Sequence, residues 1–375
     1  LEREQTVQAE KEPELAPETT APELSVGDLL EYKGKEYKVE SIDMDSFITL
    51  ADTAFEDAPR ISSRVTFLAD EFIRSGEYKI ITPAVDDPAP EVTAPDKGEN
   101  FTITDDNLGD GGAKTKFRAN VEAIKTLKTL EREKRPATAE EKETLSKYVG
   151  WGAISQAFDP NNNKWAAEYA ELKNLLTPQE YAQARSTVND AFYTSPTVID
   201  GIYEALGNFG FDGGNVLEPA MGIGNFFGRM PEDMQAHSQL YGVEIDSLSG
   251  RIAQALYPDA DIAIQGFEQN RFQNGCFDVA VGNVPFGELG FRDTVHDTTK
   301  LHDFFFAEAL DKLKDGGIMA FVTSAGTLDK RDENVRQMLA DKADFIGAIR
   351  LPGGKNGAFK DNAGTEVTTD IIFLQ

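Results

Sequence analysis

An asparagine that closes a buried strand and opens a stiff, aromatic turn is well suited to hold an aromatic amine. Asn283-Val284-Pro285-Phe286 stands in that position, directly after the apolar run Val279–Gly282. An exocyclic amine is a poor nucleophile because its lone pair is conjugated with its ring. The side-chain oxygen of Asn283 and the neighbouring backbone carbonyl of Val284 can accept both N–H bonds and leave the lone pair aimed at an electrophile. Pro285 stiffens the turn, and the ring of Phe286 offers a stacking face. The alternative is a β-turn with a core phenylalanine.

A second constellation lies upstream, in Leu217-Glu218-Pro219-Ala220-Met221-Gly222-Ile223-Gly224-Asn225-Phe226-Phe227. A strand ends in an acid, a glycine-rich turn follows and a helix begins, so the backbone can approach a ligand closely. The third glycine of a dinucleotide fingerprint is missing. A carboxylate before the turn is awkward for a pyrophosphate but suits a ligand carrying an ammonium and a sulfonium. Glu244, in Gly242-Val243-Glu244-Ile245-Asp246, falls twenty residues after Gly224, where an acid ending the next strand accepts hydrogen bonds from ribose hydroxyls. The alternatives are a plain strand-to-helix turn and a solvated surface acid.

The elements that must position these groups alternate from Gly213 onward. Strands are expected at 215–218, 240–244, 277–281, 318–323, 345–351 and 368–374, with helices at 302–313 and 332–342 between them. Such alternation implies a mainly parallel sheet covered on both faces, with ligands at the carboxyl ends of its strands. Residues 113–190 read as helical: Phe117, Val121, Ile124 and Leu127 recur at helical spacing, and Thr138 and Glu141 stand in capping-box spacing. The two tryptophans, Trp151 and Trp165, read as core anchors between helices. Residues 25–83 read as a small β-rich module with strand candidates around Leu29–Val39, Phe47–Leu50 and Arg64–Leu68. Residues 84–112 form an acidic, Pro-rich linker, and residues 1–24, almost without large apolar side chains, a disordered lead-in.

Forty per cent hydrophobic residues suffice for a sizeable core, while the net charge is −28. Residues 1–100 hold 24 acids against 10 bases, and residues 201–375 hold 26 against 14, a surface unsuited to gripping phosphates unaided. No run reaches the length of a membrane span. The single cysteine, Cys276, and three scattered histidines offer neither an internal disulfide nor a metal cluster, so no metal is expected and a reducing cytoplasm is the expected compartment. The chain starts at Leu1 and ends at Gln375 on its last strand, which reads as a cut from a longer polypeptide without a signal peptide.

Taken in order, the motifs resemble those of the N6-adenine DNA methyltransferases, with the arrangement of the gamma class and of type I modification subunits. The helical region resembles that of methylase–helicase fusions of phages and mobile elements. The resemblance covers roughly 190–375 and implies a class I methyltransferase fold, Rossmann-like, with a mainly parallel sheet and an antiparallel edge. It implies S-adenosyl-L-methionine as cofactor, bound by Glu218, Ala220, Gly222 and Gly224, with Glu244 on its ribose. Asn283, Val284, Pro285 and Phe286 would be catalytic, Phe286 stacking on an extruded base. Tyr193, Thr194 and Pro196 match the family's preceding cofactor motif, with Ser195 interrupting its usual Thr-Pro pair. Phe359, after Ile349-Arg350-Leu351-Pro352, corresponds to a second stacking ring or else to a loop aromatic. Glu268 stands in for the acid that contacts the cofactor's adenine, and Val284 replaces the first proline of the catalytic motif.

The expected reaction is methyl transfer to an exocyclic amine, adenine N6 in DNA, with the rest of a larger polypeptide supplying target recognition and this chain alone holding DNA weakly. RNA or a protein glutamine amide is the rival substrate. A non-catalytic scaffold in an antirestriction or helicase protein is the rival of another class. No membrane association is expected.

Overall fold

A computed structural model describes residues 29–42, 47–52, 64–68, 78–80, 98–186, 188, 194–287, 290–354, 357–359 and 367–375. The lead-in at 1–24, the first part of the linker and Tyr193 lie outside the described residues. The chain divides into two units, Leu1–Thr93 and Ala94–Gln375.

In the first unit, β1 (Leu29–Tyr32) and β2 (Lys35–Ile42) form a hairpin whose register runs from Leu29↔Lys38 to Tyr32↔Lys35. Lys33 and Gly34 at its tip both have positive φ, 50° and 77°, the primed-turn geometry that matches strand twist. With β3 (Phe47–Asp52), β4 (Arg64–Leu68) and β5 (Tyr78–Ile80) they make an antiparallel sheet of order β4-β3-β2-β1-β5. Leu30 and Val39 are buried under it.

The second unit opens with helices. Along α1 (Ala113–Glu133) the apolar stripe Phe117, Val121, Ile124 and Leu127 is fully buried. The turn into α2 (Ala139–Leu145) is closed by reciprocal bonds, Glu141 N–H to Thr138 Oγ1 at 3.3 Å and Thr138 N–H to the Glu141 carboxylate at 2.9 Å. Trp151 is wholly buried and meets Phe117, Tyr148 and Phe158 edge-on or tilted, while Trp165 meets Phe117. Then follow α3 (Ala166–Leu175), α4 (Pro178–Ser186) and α5 (Pro196–Asn208), the last with Pro196 in its first turn, where a missing N–H costs nothing.

Strands and helices then alternate: β6 (Gly214–Glu218), α6 (Asn225–Arg229), α7 (Glu232–Ala236), β7 (Ser238–Glu244), α8 (Ser247–Leu256), β8 (Asp261–Ile264), β9 (Phe277–Asn283), α9 (Leu301–Lys312), β10 (Leu313–Ser324), α10 (Gly326–Asp329), α11 (Asn334–Lys342), β11 (Phe345–Leu351) and β12 (Thr369–Leu374). The sheet order is β11-β12-β10-β9-β6-β7-β8, with β12 entering antiparallel between β10 and the edge strand β11. Its central strands are apolar on both faces, with Leu217, Val279, Ala280, Val281, Phe321 and Val322 fully buried. Two details were not expected: the short strand β8, and the start of β10 at Leu313, ahead of a register shift before Ile318.

From β6 the chain winds outward through β7 to β8, then crosses back to β9 on the other side of β6. The carboxyl ends of β6 and β9 therefore flank a topological switch point, where an open α/β sheet leaves a crevice. Among the described residues, no helix is long and apolar enough to cross a membrane.

Candidate active site

Glu218 closes β6, Glu244 closes β7 and Asn283 closes β9, and all three border one cavity of about 500 Å³ at the switch point. The glycine-rich loop after Glu218 is clipped onto β7. Met221 donates its N–H to the Val243 carbonyl at 3.1 Å, and Gly222 donates its own to the Glu244 carboxylate at 2.7 Å. Gly224, at the start of α6, has φ +84°, and a Cβ there would meet the Tyr257 ring at 2.5 Å. Both the turn and the tyrosine behind it require glycine.

Thr194, Glu218, Ala220, Gly222, Glu244, Glu268, Asn283 and Pro285 line the cavity. Gly224, Pro196 and Phe286 are not among its lining residues, and Phe286 is half-buried. The Val284 side chain is turned into the core, 1% exposed, and its N–H donates to the Val322 carbonyl at 3.1 Å, which fastens the turn to β10. Phe359 does not line the cavity either. Its ring is 2% exposed and belongs to the same apolar core as Ile371 and Phe373, so its faces are covered and it offers no stacking surface here.

Among the described residues, no Lys, Arg or His lines the cavity, whereas Glu218, Glu244, Asp246 and Glu268 do. Burial, reinforced by the nearby Glu244 charge, pushes the Glu218 carboxyl well above its ordinary range. Burial also pushes Glu244 up to about 8, although its oxygens accept N–H bonds from Gly222 and Asp246. Five buried oxygens on its walls have no hydrogen-bond partner among the described residues: Gln183 Oε1, Thr194 Oγ1, Glu218 Oε2, Asn225 Oδ1 and Asp246 Oδ1. Orphaned buried acceptors are costly, and here five belong to residues that line one space. A ligand that fits must bring donors and positive charge. Phe267 and Phe305, stacked at 5.2 Å, add an apolar wall.

Sequence reading missed Gln183, Asn225 and Asp246. Asn225 follows Gly224 directly, and the pair Asp246–Ser249 carries an N-cap signal that could have drawn attention to the acid. The Asp246 Oδ2 indeed accepts from Ser249 N–H at 3.0 Å and from its Oγ–H at 2.6 Å, while Oδ1 is left to the cavity. Gln183, in an unremarkable helix, carries no such signal.

Residues 175–375, more than half of the chain, match the family of N-6 DNA methylases. The chain belongs to that family. Its methylase domain has the class I methyltransferase fold, with the seven-stranded sheet described above. Over 191 residues, 49% of the chain, it is 34% identical to Defense against restriction protein B of Escherichia phage P1, and the matched stretch spans 8% of that protein. A type I restriction-modification system methyltransferase subunit of Streptococcus thermophilus is 15% identical, with a TM-score of 0.42 over 70% of this chain and 79% of that one. A Listeria monocytogenes protein assigned to the class I S-adenosylmethionine-dependent methyltransferases is 16% identical, with a TM-score of 0.45 over 70% and 88% of the two chains. Family membership makes S-adenosylmethionine the cofactor of the methylase domain. The cavity suits it, because an ammonium, a sulfonium, ribose hydroxyls and an adenine amine together present the donors and charge that the five unpartnered oxygens lack.

Proposed function

We propose that the chain methylates the exocyclic amine of a nucleobase, adenine N6 in DNA, as part of a larger polypeptide. The observation that supports it best is that Asn283 and Pro285 border the same cavity as the unpartnered acidic oxygens. An amine holder and a cationic-ligand site then share one space. S-adenosylmethionine, when bound, supplies an electrophilic methyl carbon. Glu218, Ala220 and Gly222 would hold it, with Glu244 at the ribose, Glu268 at the adenine and Thr194 alongside. Asn283 Oδ1 and the Val284 carbonyl accept the two amine N–H bonds, which frees the nitrogen lone pair. For the transfer to balance, the methyl–sulfur bond would break with its electron pair kept by sulfur, and the nitrogen's surplus proton, held meanwhile by one of these carbonyls, would pass to water. The Val284 N–H bond to Val322 does for this turn what a proline ring would do, so the replacement keeps both the carbonyl and the rigidity. Pro285 fixes the turn beyond it, and Phe286 stacks on the target base.

A second reading, a non-catalytic methylase domain within an antirestriction polypeptide, is favoured by the phage relative. The experiment that separates them is transfer of a labelled methyl group to DNA, RNA and protein by the full-length polypeptide. Label in DNA adenine is the expected result. Cofactor binding without transfer to any of the three would favour the second reading.

A further inference from the structure

Helix α4 belongs to the helical segment in front of the sheet, yet it forms part of the cavity wall. It is held against α8 by Glu180, which accepts from Arg251 Nη2 at 2.6 Å, from Lys128 Nζ on α1 at 2.8 Å and from the Thr177 N–H at 2.8 Å. Glu180 is thereby fully supplied. Gln183 lies one turn further along the same face of α4 and lines the cavity. Its Oε1 is buried with no partner among the described residues. Arg251, which ties α4 down, lies on α8, the helix that Asp246 caps, and Asp246, like Gln183, lines the cavity and has an oxygen without a partner among the described residues.

We propose that Gln183 is a cofactor-contacting residue whose amide oxygen accepts a hydrogen bond from the nucleoside half of S-adenosylmethionine, from a ribose hydroxyl or the adenine amine. This rests on the cofactor assignment and adds a contact from outside the sheet. The helical segment is then part of the binding site and not only its support, and the tie between Glu180 and Arg251 is what sets the reach of the amide.

The test is calorimetric titration of the 375-residue chain with S-adenosylhomocysteine, in wild type, Gln183→Leu and Gln183→Met. Both substitutions keep the size of the side chain and remove the acceptor. The dissociation constant should rise about five- to tenfold in each, the usual scale for one neutral hydrogen bond. The ligand-free melting temperature should hold or rise, because a buried oxygen without a partner has been removed. Wild-type affinity in a folded Leu or Met variant overturns the contact. Absence of any heat with wild type instead overturns the cofactor assignment itself, so the two failures are told apart.

Discussion

Two regions of the methylase unit each bury an acid, under opposite conditions. In the seam between α1, α4 and α8, burial pushes Glu180 up, but hydrogen bonds from Lys128, Thr177 and Arg251 outweigh it and hold the carboxyl at about 2. At the cavity Glu218 is 2% exposed, no basic side chain among the described residues lines the space, and its carboxyl stands well above the ordinary range. The chain satisfies the first acid from its own groups and leaves the second incomplete. Burial alone therefore decides neither charge nor role; what decides is whether the partner is built into the fold or must arrive from outside. Seam acids should be needed for stability, and cavity groups for binding and chemistry.

The sharpest way to break that division is at Asn283. Asn283→Ala should lower methyl transfer by the full-length polypeptide on the order of a hundredfold or more, the usual cost of losing one oriented polar group. Its melting temperature and affinity for S-adenosylhomocysteine should stay at wild-type values, and Asn283→Asp, which still accepts both bonds, should be milder. Unchanged transfer in the alanine variant would end the assignment.

Glu218→Gln should come next, weakening S-adenosylhomocysteine about tenfold or more by calorimetry while leaving the ligand-free protein as stable as before. Glu180→Ala should act first on stability, with no more than the several-fold loss of affinity that follows from releasing Gln183. Its partners Lys128 and Arg251 are 30% and 26% exposed, so water compensates in part and the loss is about 2 kcal/mol, a melting point lower by several degrees. A Glu180 variant that melts as wild type does would show the seam to be decorative.

Glu244 adds a pH dependence with a defined sign. Its folded carboxyl titrates at about 8 against an ordinary 4.5, so between those values the folded state holds a proton that the unfolded chain has released. Ligand-free stability should fall as pH rises through that window and level off above it. A donor-rich, cationic ligand favours the ionised form, so binding at pH 7 should release protons. Identical calorimetric heats in two buffers of different ionisation enthalpy would remove this point. The smallest expected signal is DNA affinity: with a net charge of −28, the 375-residue chain should hold duplex DNA more weakly than micromolar at physiological salt. Tight, site-specific retention in a filter-binding assay would contradict it.

Much of this organisation is legible along the chain because it is written in short-range terms. Strand ends are announced by an apolar run giving way to a polar residue and a turn, and Glu218, Glu244 and Asn283 all sit at such transitions. The apolar stripe of α1 and the Thr138–Glu141 capping box are equally local. The remaining cavity groups depend on long-range partnership. Whether Glu180 is supplied depends on Lys128 and Arg251, 52 and 71 residues away, and whether Gln183 is supplied depends on what packs over α4. Phe359 shows the same limit from the apolar side. An aromatic in a loop can be a stacking ring or a core anchor, and here the ring is buried in the same core cluster as Ile371 and Phe373. The motif as a string says where the backbone turns; it does not say which polar atoms remain unsatisfied.

The carboxylate of Asp246 is shared between two tasks, one oxygen receiving the Ser249 amide and hydroxyl at the head of α8, the other turned to the cavity. A hydrogen-bond donor or cation drawn to the second oxygen withdraws electron density from the first, so the leading turn of α8 responds to what fills the cavity. The amide resonance of Ser249 is thus a native gauge of occupancy: it should shift as ligand is added, with no label introduced and with the rest of α8 nearly silent.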